Sequence, residues 1–108
     1  MREYLDERGQ SPFRAWLAAL DNAARARIQA RILRFETGNL GDHKQLGDGV
    51  WEARVAFGPG YRVYFGKSGR EVVLLLVGGD KGSQSADIKR AKENWAAYAK
   101  ELKHGTTK

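Results

Sequence analysis

Apolar and polar side chains alternate strictly through the middle of this chain. Over residues 50–57 (VWEARVAF), Trp51, Ala53, Val55 and Phe57 fall on one side and Glu52, Arg54 and Ala56 on the other. That is the period-two signature of a strand with two unlike faces. Residues 61–65 (YRVYF) repeat it, with Tyr61, Val63 and Phe65 set against Arg62 and Tyr64. Gly58-Pro59-Gly60 between them is a turn. A loop of these three residues pairs Phe57 with Tyr61, Val55 with Val63 and Ala53 with Phe65, so that the apolar face closes on itself. It also sets Arg54 across from Tyr64 and diagonal to Arg62 on a face expected to meet solvent. Residues 67–69 make the next turn. Residues 72–77 (VVLLLV) are apolar throughout, as in a strand covered on both sides, and lead into a Gly-rich loop at 78–82.

On either side of this sheet the period changes to that of a helix. Ser11-Pro12 supplies an N-cap and a first-turn proline, and Phe13, Trp16, Leu17 and Leu20 follow at i, i+3, i+4 and i+7. Asp21 can cap a second helix reaching about Thr37, with Gly38-Asn39 as its stop and Ala24, Ile28, Ile32 and Phe35 as its buried stripe. So short a link predicts a helical hairpin. Arg27, Arg31 and Arg34 share one flank, predicted to be a solvated face. Residues 39–49 read as a loop and residues 1–5 as a short strand. Ser83 or Ser85 opens a last helix with Ile88, Ala91, Trp95, Tyr98, Ala99 and Leu102 on its apolar side and Lys89, Arg90, Lys92 and Lys100 elsewhere. The order β-α-α-β-β-β-α defines an α+β fold with a small, mainly antiparallel four-stranded sheet. Residues 1–103 form one domain and 104–108 a flexible tail.

Composition narrows the choice of partner. The 108 residues carry 19 Lys and Arg against 13 Asp and Glu, a net charge of +6, which favours polyanions. There is no cysteine, and His43 and His104 have no ligand spacing around them, so neither a thiolate nucleophile nor a metal cofactor is expected. No apolar run approaches the ~20 residues of a membrane span, and a cytoplasmic protein without membrane partners is expected.

Arg54 and Arg62 on one sheet face repel each other, so folding alone gives no reason to bring them together. One reading is that Glu52 neutralises Arg54 while Tyr64 packs beneath an arginine stem. The other is an anion site, with guanidinium forks for phosphate oxygens and Tyr61 or Tyr64 as a platform for a base. On an RNA phosphate, Glu52 or a lysine would take the 2′-OH proton. Arg54 and Arg62 would stabilise the phosphorane, and Lys81 would serve the leaving oxygen. No cofactor is needed for that chemistry. VGGDKG lacks the spacing of a P-loop.

The stretches GVWEARVAFGPGYRVYF and LLLVGGDKGSQSADIKRAKENW, with SPFRAWLAAL and the GNLGDHK loop, resemble the RelE/ParE superfamily of toxins. The similarity is greatest to the HigB-like, phage Gp49-like addiction-module killer proteins. The resemblance implies the toxin of a type II toxin–antitoxin pair, partnered by a cognate antitoxin of helix-turn-helix type. It implies a ribosome-dependent mRNA endonuclease that blocks translation and leaves 2′,3′-cyclic phosphate ends. The family's basic residues fall on Arg54, Arg62 and Lys81. Glu52 stands where RelE has a further lysine, and Asp87 stands about where RelE has a tyrosine. Lys44 and His43 are possible substitutes, placed with Tyr61 and Tyr64 among the RNA-contacting residues. The alternative within the superfamily is a ParE-like toxin that inhibits DNA gyrase, or another protein target, without catalysis. Arg62→Ala is expected to remove toxicity and leave the fold largely intact.

Overall fold

The computed structural model describes residues 2–68 and 71–105. Helix α1 (Pro12–Ala18) starts where Ser11 accepts the Arg14 amide, and α2 (Asn22–Phe35) where Asp21 accepts that of Ala24. Both caps are the ones the sequence predicts. Arg25 holds the short link between the helices by donating to the carbonyls of Ala18 and Leu20. Four strands follow: β1 (His43–Gly47), β2 (Val50–Val55), β3 (Tyr61–Ser68) and β4 (Glu71–Asp80). They form an antiparallel meander in chain order. A single 3₁₀ turn (Lys81–Ser83) leads into the 22-residue helix α3 (Gln84–Gly105). This is the small antiparallel sheet expected, with N-terminal helices and a C-terminal helix.

The two sheet faces carry separate cores. On one, Phe13 and Leu17 of α1 and Ile28 and Phe35 of α2 pack on Ala53, Val55, Val63, Phe65 and Leu75. On the other, α3 lays Ala91, Ile88, Trp95 and Tyr98 over Val50, Tyr64, Leu74 and Leu76. Two glycines admit the large rings. A Cβ on Gly66 would stand 2.1 Å from Trp95, and one on Gly78 would stand 2.1 Å from Trp16. Each indole thus packs closely on a strand backbone that no larger residue would allow. No helix among the described residues is long and apolar enough to cross a membrane.

Several boundaries differ from the sequence-based expectation. The stretch 39–49 is not all loop, because His43–Gly47 forms the edge strand β1. Asp48 and Gly49 both have positive φ and close the β1–β2 hairpin, the Asp-Gly turn preference made visible. The expected N-terminal strand reduces to one parallel bridge between Glu3 and Leu75. Met1 lies outside the described residues. Gly78 and Gly79 belong to β4 rather than to a loop. Strand β3 continues through Lys67 and Ser68, which were expected in a turn; Gly69, the end of that turn, lies outside the described residues, as do residues 106–108 of the expected tail.

Candidate nucleic-acid interface

The β2–β3 register differs by two positions from the one that a three-residue loop would set. Val55 pairs with Tyr61, Arg54 with Arg62, Ala53 with Val63 and Glu52 with Tyr64. Gly60 donates its amide to the Phe57 carbonyl, and Phe57 donates to Val55. The wider connection over residues 56–60 absorbs the difference. A shift of two preserves which side chains share a face. It changes who stands opposite whom, and the two arginines become direct neighbours.

The same face is not open along its length. Glu52 and Tyr64 are fully buried beneath the start of α3, contrary to the solvent-side placement expected from alternation. Arg62 is 13 % exposed, and its Nη1 stands 2.9 Å from Glu52 Oε2. Gln84, the first residue of α3, donates its side-chain amide to Glu52 Oε1 at 3.0 Å. Glu52 is therefore the counter-ion of Arg62, not of Arg54. Burial, followed by the negative charges of Glu52 and Asp87, raises the Tyr64 pKa well above the usual phenol range. The phenol stays neutral, and its ring is part of the α3 core rather than a stacking platform. Asp87 accepts the Ser83 hydroxyl and lies against the backbone of Gly79, the register partner of Arg62.

Arg54 is 43 % exposed and reaches Asp42 Oδ1 at 3.0 Å, beside the start of β1. This partner is itself exposed, so the pair is weak and water or an anion can compete for the guanidinium. Lys44 is the register partner of Glu52 and lies exposed on the same face. Lys81 follows β4 directly, and its amide donates to the Gly60 carbonyl, which ties it to the hairpin turn. Arg54, Arg62, Lys44 and Lys81 thus gather around one end of the sheet. Tyr61 is half-buried on the opposite face, its ring edge-on to Trp16 at 6.1 Å. His43 is also on that opposite face. Its ring packs 5.7 Å from Trp51, and its Nδ1 lies 2.7 Å from the Gly41 carbonyl.

One contributing residue escaped the sequence reading. Arg31 is not on a solvated flank. Its guanidinium donates to the carbonyls of Leu40, Asp42 and Arg54 at 2.7–3.1 Å, clamping α2 to the segment just before β1 and to β2. Desolvation lowers its pKa from the usual value, yet an arginine remains charged. It fixes the backbone of Arg54 and of that residue's partner Asp42 together. Arg31→Met should destabilise the fold by about 1–3 kcal/mol, because three carbonyls lose charged donors. A denaturant midpoint would show the loss.

Cationic side chains on a small antiparallel sheet, one of them anchored to a buried carboxylate, define a compact α+β protein with a cationic sheet end. Residues 15–103 match the family described as phage derived protein Gp49-like (DUF891), and the chain belongs to that family, which suggests a toxin-like protein. An uncharacterized protein of Haemophilus influenzae is 49% identical over 81 residues, covering 74% of this chain and 82% of the relative. No solved structure matches significantly.

Proposed function

We propose that this chain is the toxin of a type II toxin–antitoxin pair and acts as an mRNA endonuclease at the ribosome, held in check by a cognate antitoxin. The observation that carries the reading is the pairing of Arg54 with Arg62 across β2–β3, with Lys81 tied to the turn beside them. Each arginine has its own carboxylate, buried Glu52 for Arg62 and Asp42 for Arg54, but the Arg54 pair is exposed, so a phosphate can displace Asp42 and lie beside both guanidinium groups. Membership of a toxin family supports the same direction.

In the reaction the 2′-hydroxyl gives up its proton to water as its oxygen attacks the adjacent phosphorus, and the 5′-oxygen leaves and is protonated, which yields a 2′,3′-cyclic phosphate and a 5′-hydroxyl. Arg54 is exposed and presents its guanidinium to the phosphorane oxygens, with Arg62 behind it. Lys81 stands ready to protonate or neutralise the leaving oxygen. Glu52, considered above as the base, is buried and engaged by both Arg62 and Gln84. Its role is to hold Arg62, and the largest contribution to rate is stabilisation of the developing charge.

Induction in cells followed by mapping of transcript ends tests this. Cleavage inside translated messages, with cyclic-phosphate ends and persistence in EDTA when reconstituted on ribosomes, is the expected result. Intact transcripts together with DNA damage would instead identify a gyrase-directed toxin.

A further inference from the structure

We propose that the groove between the N-terminal segment and the second half of α3 docks a short basic segment, apolar on one face, from a partner protein. The groove encloses about 840 Å³. Tyr4, Leu5, Leu74, Ala97 and Tyr98 supply its apolar lining, and Leu5 is 56% exposed, one of two large apolar side chains so placed among the described residues. At its floor Tyr98 stacks on Trp95, which in turn packs against Gly66. A preformed apolar floor of this kind lowers the ordering cost of binding a side chain.

Charge selects the occupant. On a chain of net charge +6, the described residues lining this groove include Glu3, Asp6, Glu7 and Glu101 against the single cation Arg2. Glu3 is held by Arg14, while Asp6 accepts from two backbone amides of its own loop. Glu7 and Glu101 make no ion pair among the described residues. The charges of Asp6, Glu101 and Glu7 all bear on the Tyr4 phenol and, after burial, raise its pKa, so the negative potential converges inside the groove. These carboxylates form no metal-binding group among the described residues. They repel nucleic acid, and the net charge of +6 repels a second copy at long range. A lysine- or arginine-bearing segment with an apolar stripe meets both the floor and the rim. Residues 84 and 101 mark a separation of about 25 Å along α3, so an occupant here need not cover Arg54 and Lys81.

The inference stands apart from the nuclease reading and survives its failure. The probe is a labelled 14-residue peptide of Lys, Ala and Leu with leucines at i, i+3, i+4 and i+7, and its control has Glu in place of Lys. Fluorescence anisotropy at low salt should show binding of the basic peptide alone, weakening as salt rises. Glu7→Lys with Glu101→Lys should weaken it by roughly tenfold or more, circular dichroism confirming that these surface changes leave the fold intact. Amide shifts should map to Tyr4, Leu5, Ala97 and Glu101. Absence of binding, equal binding of the acidic control, shifts centred elsewhere, or an unchanged affinity in the double variant would overturn the proposal. So would concentration-dependent self-association that the double variant abolishes, since the groove would then take a second copy.

Discussion

Arg62→Ala should destabilise the protein by about 3–5 kcal/mol, the usual cost of leaving a buried carboxylate without its partner. Alternation alone suggested a solvent-side arginine whose removal would spare the fold. The structure corrects this, because Glu52 is fully buried and Arg62 is its cation. Loss of toxicity in this variant would therefore confound stability with chemistry. The double variant Glu52→Gln, Arg62→Met separates them. It removes both charges, keeps the volume close and leaves Gln84 an amide to pair with, so most of the lost stability should return. Activity should not return, since the cation is still missing. Urea denaturation and a growth assay read the two quantities. A single Arg62→Ala variant as stable as the parent would refute the buried-pair account. Full toxicity in the double variant would remove Arg62 from the reaction.

Arg54→Ala should give the opposite pattern, a fall in cleavage of roughly a hundred- to a thousand-fold with stability nearly unchanged. The reason lies in exposure. Among the described residues the Arg54 guanidinium pairs with Asp42 alone, and both side chains face water, so the ion pair itself is worth little to the fold. If its guanidinium stabilises the phosphorane, its removal acts on the transition state, and kcat should fall with the fold intact. Arg54→Lys keeps the charge but not the planar fork, and only a partial recovery is expected. A variant that cleaves at the parental rate would assign the exposed arginine to the antitoxin or to nothing, and the proposed nuclease site would fail with it.

The strand and helix periods were legible because local pattern decides them. Ser11 and Asp21 cap their helices as expected, and the two faces of β2 and β3 keep the membership that alternation assigns. Strand β1 was missed although its signal was present. The Asp48-Gly49 dipeptide is a hairpin turn, and the polar residues 43–45 before it are those of an exposed edge. Arg31 could not be read from its flank, since its three carbonyl partners come from segments brought near only by folding.

Alternation along the strands is enough to place Glu52, Arg54, Arg62 and Tyr64 on one face, because side chains on a strand alternate whatever the rest of the chain does. That this face is half covered follows from long-range packing. The start of α3, with Gln84 against Glu52, closes over one row of the sheet and leaves the next open. Where a distant helix comes to rest depends on long-range packing, here on glycines small enough to seat its tryptophan, and no local period carries that information. Burial in turn divides the charges: Glu52 and Arg62 bind each other in the low-dielectric interior, and Arg54 remains in water, able to exchange its partner for an anion.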